Sequence, residues 1–186
     1  DEPTVINMTN HSYFNLNGTD KTSPLTDIHN HTLRIDADFY TPTDNNAIPL
    51  GKHMPVDGTP FDFRSAKPIG RDIAANHPQL HIGRGYDHNF VLRAPSLDNP
   101  SVFLSSPATG ISIEVFTTAP GIQLYTGNFL DGVRGKGGIA YPVRSAVCLE
   151  TQQYPDSPNH SWPESTGRLM PDYPFSSTTI FKFSQQ

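Results

Sequence analysis

The chain is short of cysteine, of apolar residues and of basic charge, and each shortage excludes something. One cysteine, Cys148, stands among 186 residues, which rules out an intrachain disulfide framework and is compatible with a reducing compartment. Apolar residues make up 35% of the chain, against about 45–50% in an average domain by a count that also includes glycine. No run approaches the roughly 18 consecutive apolar residues of a membrane-spanning helix. Thirteen Lys and Arg are set against eighteen Asp and Glu, a net charge of −5, so the basic face that nucleic acid requires is lacking. Neither nucleic acid nor membrane is expected as a partner. Arg64, Arg71 and Arg84 are scattered and form no grouped phosphate clamp. There is no G-x-S-x-G elbow, and "GVRGKGG" (132–138) lacks the strand-to-helix setting and GK[ST] ending of a phosphate loop.

What the chain does have is punctuation: 18 Pro and 14 Gly, which leaves little room for helices longer than three turns. The periodicity is two. "SVFLSS" (101–106), the turn "PATG" and "ISIEVFTT" (111–118) read as a β-hairpin, with Ile111, Ile113 and Val115 on one face and Ser112 and Glu114 on the other. Further strands are expected at 4–8, 31–36, 88–93, 122–127, 146–152 and 178–183. Only "KPIGRDIAANHPQL" (67–80) has the pattern of a short helix, which Pro78 should limit. No repeat or composition shift divides the chain, so residues 1–186 read as one all-β domain of sandwich type. "HNFVLR" and "AVCLETQ" carry polar groups where a compact sandwich wants apolar ones. A concave, wet sheet face would account for them.

Three residues stand out as chemically able. His11 lies in "TNHSYFNLNG" (9–18) among Asn10, Ser12, Tyr13 and Asn15. Such clustering suits a ligand better than a core, and imidazole ordinarily titrates near pH ~6.5, within reach of neutrality. Glu150 closes the apolar run Val147–Cys148–Leu149, where a carboxylate is costly unless hydrogen-bonded or working. Asp87, in "GRGYDHNFVL", offers an acceptor at a sheet edge beside an aromatic, the means by which sugars are held. The bland alternatives are a strand histidine, a strand-end surface glutamate and an Asx-type turn. His29 with His31, and His77 with His81, have spacings that chelate a metal, but neither pair has a companion Cys or carboxylate at a strong spacing.

"TNHSYFNLNG", "IPLG…VDGTPFDFR", "GYDHNFVL", "PGIQLYTGNFL" and "CLETQQYPDSPNH", in that order, with "FSSTTIFKF" at the end, resemble the aldose 1-epimerases, the galactose mutarotases. The resemblance runs from Asn7 to Phe183. It implies a large antiparallel β-sandwich of the galactose mutarotase-like kind, of which this chain looks like the C-terminal portion. It also implies interconversion of the α and β anomers of free hexoses such as glucose and galactose, without metal or organic cofactor. His11 is then the general acid and Glu150 the general base. Asp87 and Gln123 hold sugar hydroxyls, and Asn10 and Tyr13, beside the acid, join them as candidate sugar contacts. Family members are longer, and their upstream half adds an arginine and a further histidine for which no motif is found here. The chain is therefore expected to pair with a missing N-terminal segment or with another copy. A non-catalytic carbohydrate-binding protein of the same fold is the alternative. The expected location is cytoplasmic, with secretion secondary on account of Asn-x-Ser/Thr sites at Asn7, Asn10, Asn17, Asn30 and Asn159.

Overall fold

The computed structural model describes residues 2–18 and 26–185. In chain order its strands are β1 (Thr4–Val5), β2 (Tyr13–Phe14), β3 (Thr32–Ile35), β4 (Ala37–Thr41), β5 (Met54–Pro55), β6 (Lys67–Pro68), β7 (Asp87–Leu92) and β8 (Val102–Ser105). These are followed by β9 (Ile111–Thr117), β10 (Gly121–Tyr125), β11 (Val133–Arg134), β12 (Ala140–Tyr141), β13 (Val147–Gln152), β14 (Arg168–Leu169) and β15 (Thr179–Gln185). A six-stranded sheet runs β2-β13-β10-β7-β4-β5 and a five-stranded sheet runs β15-β9-β8-β3-β6. All their pairings are antiparallel. No helix of the described residues is long and apolar enough to cross a membrane.

The alternation of apolar and polar residues decides which face each sheet buries. Antiparallel partners share a face, and the register sets Leu124 opposite both Leu149 and His88, with Ile122 opposite Phe90. This face meets Leu33, Leu104, Ile113 and Val115 of the second sheet in one buried cluster. The residues one step out of phase, Glu150, Gln123, Asn89, Asp87 and Tyr125, fall on the opposite face. Of the polar groups that look misplaced in "HNFVLR" and "AVCLETQ", Asn89, Glu150 and Gln152 therefore lie on the wet side of the sheet, while His88 and Thr151 stand in phase with the dry side.

The hairpin forms as expected, with Ser105 opposite Ser112. One expectation needs correction. The segment 67–80 is not a helix ended by proline: a 3₁₀ turn spans Ile69–Arg71, and the α-helix α1 (Pro78–Gly83) begins at Pro78. Proline lacks only a donor that a first turn does not use, and His77 caps the turn by accepting from the Gln79 N–H. Strand β4 has no counterpart among the expected strands, because Asp36 before it and Asp38 within it look like a loop. Arg93 draws them in, with ion pairs of 3.0 Å to Asp36 and 2.7 Å to Asp38.

One side of the sandwich stays open at its edges. Phe14 of the edge strand β2 packs on Phe181 of the edge strand β15, with ring centroids 5.4 Å apart. Ile180 and Phe183 remain about half exposed. Leu124 sits fully buried on the strand between β13 and β7. Leu124→Ala is expected to cost about 2–5 kcal/mol, read as a lower urea midpoint at unchanged m-value. A loss below about 1 kcal/mol would place the core elsewhere.

Candidate active site

The stretch carrying His11 is an irregular segment between β1 and β2, held from outside. Asn7 and Gln153 exchange two hydrogen bonds: the Asn7 amide donates to the Gln153 carbonyl at 3.0 Å, and Asn7 Oδ1 accepts from the Gln153 N–H at 2.9 Å. Asn10 Oδ1 accepts from the Ser12 N–H, closing an Asx turn around His11. Downstream, Asn15 donates to the carbonyls of Ser145 and Thr26, and β2 pairs with β13, placing Tyr13 opposite Cys148. The polar equipment of "TNHSYFNLNG" is thus largely bracing, and it delivers the imidazole to the wet face of the six-stranded sheet.

There His11 Nε2 lies 3.3 Å from Glu150 Oε1. The imidazole stacks on the Tyr13 ring with centroids 5.0 Å apart and planes 15° apart, and Tyr125 meets both rings edge-on. The glutamate side chain is about 10% exposed and the histidine about 50%, so the pair has one partner indoors and one at the mouth. Both line a cavity of about 380 Å³ with Asp87, Gln123, Gln152 and the rings of Tyr13, Tyr125 and Phe129. That volume falls in the range of small-molecule sites.

Burial pushes the Glu150 carboxyl above its ordinary range; contact with His11 draws it back and the nearby Asp87 charge raises it further. Asp87 is also raised, chiefly by burial, while the hydrogen bond from Gln123 works in the opposite direction. That bond, from Gln123 Nε2 to Asp87 Oδ1, is 2.8 Å long. It ends a ladder that runs from the cavity along the wet face of the sheet. Asn89 Nδ2 donates to Thr41 Oγ1 at 3.0 Å, and Gln152 Nε2 donates to Asn89 Oδ1 at 3.2 Å and to Gln123 Oε1 at 3.3 Å. Each amide is oriented by the next. A face of carboxylates, amides and aromatic rings can hold vicinal hydroxyls and move protons between them.

Against known proteins, the family model described as aldose 1-epimerase matches residues 1–182. The chain belongs to the aldose 1-epimerase family. It is 44% identical over 185 residues to the galactose mutarotase of Rattus norvegicus and 43% to that of Homo sapiens, in each case over 98% of this chain and 51% of the relative. The aldose 1-epimerase of Escherichia coli is 41% identical over 186 residues, covering 98% of this chain and 52% of its own length. Among solved structures, an aldose epimerase homologue from C. elegans superposes with a TM-score of 0.82 at 29% identity, over all of this chain and 53% of that one. A galactose 1-epimerase from Lactobacillus acidophilus gives 0.80 at 30%, over all of this chain and 50% of that one. The chain spans about half the length of the curated relatives it matches.

Within this epimerase fold, His11, Glu150, Asp87, Gln123 and Tyr13 come together around the cavity, whereas Asn10 forms part of the wall of a neighbouring one with Met8, Thr151 and Thr179. Sequence reasoning does not single out Tyr125, Phe129, Gln152 or Asn89. For Gln152 and Asn89 a signal is present, since both stand in phase with Glu150 and Asp87 on strands whose period is visible. The paired histidines do other work. His31 is buried, held down to about 4, and accepts from the Leu16 N–H through Nε2 at 2.9 Å, while His77 caps α1. Arg64 is engaged by Asp38, Asp57 and Asp62, and Arg71 by Asp72. In Gln123→Leu the Asp87 carboxylate loses a donor that favours its charged form. Its pKa should rise further, followed by carboxyl-carbon NMR titration; an unchanged or lower value would show that the ladder does not govern Asp87.

Proposed function

We propose that the chain carries the acid–base machinery of an aldose 1-epimerase, interconverting the anomers of a free hexose such as galactose or glucose. The observation that supports this most is the 3.3 Å separation of His11 Nε2 and Glu150 Oε1 at the cavity. The oxygens that must exchange protons in mutarotation, O1 and the ring oxygen O5, both bond to C1. Donor and acceptor must therefore stand close together, and these two do.

Glu150 as carboxylate removes the O1 proton, and His11 as imidazolium delivers one to O5 as the C1–O5 bond breaks and C1=O1 forms. Rotation about C1–C2 presents the other face of the aldehyde. On reclosure the ring hydroxyl returns its proton to His11, and Glu150 returns its proton to O1, so atoms and charge balance. Asp87 and Gln123, linked to each other, accept and donate to ring hydroxyls. The Tyr13 and Tyr125 rings offer faces to the apolar side of the sugar. No step requires a cofactor. The likeness to proteins named galactose mutarotase, at 43–44% identity over 98% of this chain, supports the same reading.

The edges of β2 and β15, unpaired among the described residues, together with the length of the relatives, support a second part of the proposal: the chain works paired with the polypeptide that supplies the rest of the fold, or with another copy. The single cysteine, compatible with a reducing compartment, supports a cytoplasmic location.

Polarimetry of freshly dissolved α-D-galactose tests the activity, on the chain alone and mixed with the N-terminal half of the rat relative. Glu150→Gln and His11→Asn should each lower the catalysed rate by about 10²–10⁴-fold. Sugar binding with no acceleration in either sample would favour the non-catalytic carbohydrate-binding protein. Because Glu150 must be ionised and its pKa is raised, kcat/KM should fall as the pH drops through a value above the ordinary carboxylate range. A limb at the position of a free glutamate would contradict the role of burial. Sedimentation tests the pairing, since a monodisperse 186-residue monomer with full activity would overturn it.

A further inference from the structure

Cys148, the single cysteine of the chain, lies beneath the acid–base pair and has no part in the proton transfers. It stands two positions before Glu150 on β13, so the two side chains share a face and a rigid backbone. A ring nitrogen of His11, Cys148 Sγ and a Glu150 carboxylate oxygen all lie within 4.8 Å of one another. We propose that these three atoms form a binding site for a thiophilic divalent cation, zinc foremost, whose occupation excludes sugar from the cavity.

One nitrogen, one sulfur and one oxygen make a donor set that suits zinc among the common divalent ions. Bonds of roughly 2.0–2.3 Å in a tetrahedral arrangement place ligand atoms about 3.3–3.8 Å apart. The His11–Glu150 separation of 3.3 Å already meets this, and the thiol needs at most a shift of about 1 Å to reach a shared ion. The thiol gives its proton to solvent as the S–metal bond forms, and no oxidation state changes. The fourth position faces the cavity, where water can fill it as in open zinc sites.

Charge favours the ion as well. Asp87 and Glu150 both line the cavity and no Lys or Arg among the described residues does, so a cation entering it meets two carboxylates, and His11 coordinates it as the neutral imidazole. The bound ion would hold the acid and the base at once, through the same atoms that serve O5 and O1. Exclusion of sugar follows from that sharing and is the one consequence that rests on the epimerase reading. The ion acts as an inhibitor and has no role in turnover.

Cobalt(II) is the probe, because a thiolate ligand produces an intense near-ultraviolet charge-transfer band and only Cys148 can supply one. One equivalent of Co²⁺ should develop that band in the intact chain. Cys148→Ser should abolish it, His11→Asn should weaken the binding, and Zn²⁺ should displace the cobalt. A folded chain without the band, or a band that survives Cys148→Ser, would overturn the site. Calorimetry of galactose binding, run with and without saturating Zn²⁺, tests exclusion, and sugar bound equally in both would overturn that half. The band is read with no sugar and no turnover, so its absence leaves the epimerase reading standing. Absence of any galactose binding without zinc would count against the epimerase reading, and the metal site would then stand or fall on the band alone.

Discussion

Glu150 stands on a strand whose six residues are all buried, and the side chains around it make an ionised carboxylate tolerable there. Burial raises its pKa in the folded chain. A raised carboxylate adds stability in its protonated form below the ordinary carboxylate range, and that contribution is lost as the pH climbs through the folded value. Near neutrality the fold therefore bears a cost at this position. Contact with His11 reduces the cost, while the neighbouring Asp87 adds to it. A group placed at such expense on a rigid strand is the pattern expected of a working base.

The sheet makes this arrangement possible because its two faces have separate duties. Leu124, Leu149 and Phe90 anchor the strands in the core, so that Gln123, Glu150 and Asn89 stand upright on the other side at fixed cross-strand spacing. The amide ladder from Thr41 through Asn89, Gln152 and Gln123 to Asp87 satisfies these polar groups by one another. A network completed in this way holds its members in place before any ligand arrives. The remaining asymmetry is that Glu150 is held from below by the sheet, whereas His11 is held from the side by the Asn7–Gln153 exchange and by stacking on Tyr13.

How much of this is legible in the sequence depends on the range over which the signal acts. Strands such as β9 and β13 show their period in a few consecutive residues, and the hairpin turn lies between its own arms. Strand β4 cannot be read locally, because its aspartates are neutralised by Arg93 from far along the chain. Pro78 reads as a stop because proline breaks helix interiors, yet its position at the first turn makes it a start. Asn10, adjacent to the acid in sequence, braces Ser12 and lies outside the cavity lining. Adjacency along an irregular segment carries no period from which a facing direction can be inferred.

The amino-acid sequence by itself determined the all-β character, the alternation that divides each strand into a dry and a wet side, and the order of motifs by which the family can be recognised. These are local properties, set by side-chain type and spacing. Tertiary structure decided which residues meet: the register of β2, β10, β13 and β7 brings Tyr13, Gln123, Glu150 and Asp87 to one cavity, and His11 across from the carboxylate. Register is a long-range quantity, fixed by how two buried faces interlock, and no stretch of one strand contains it.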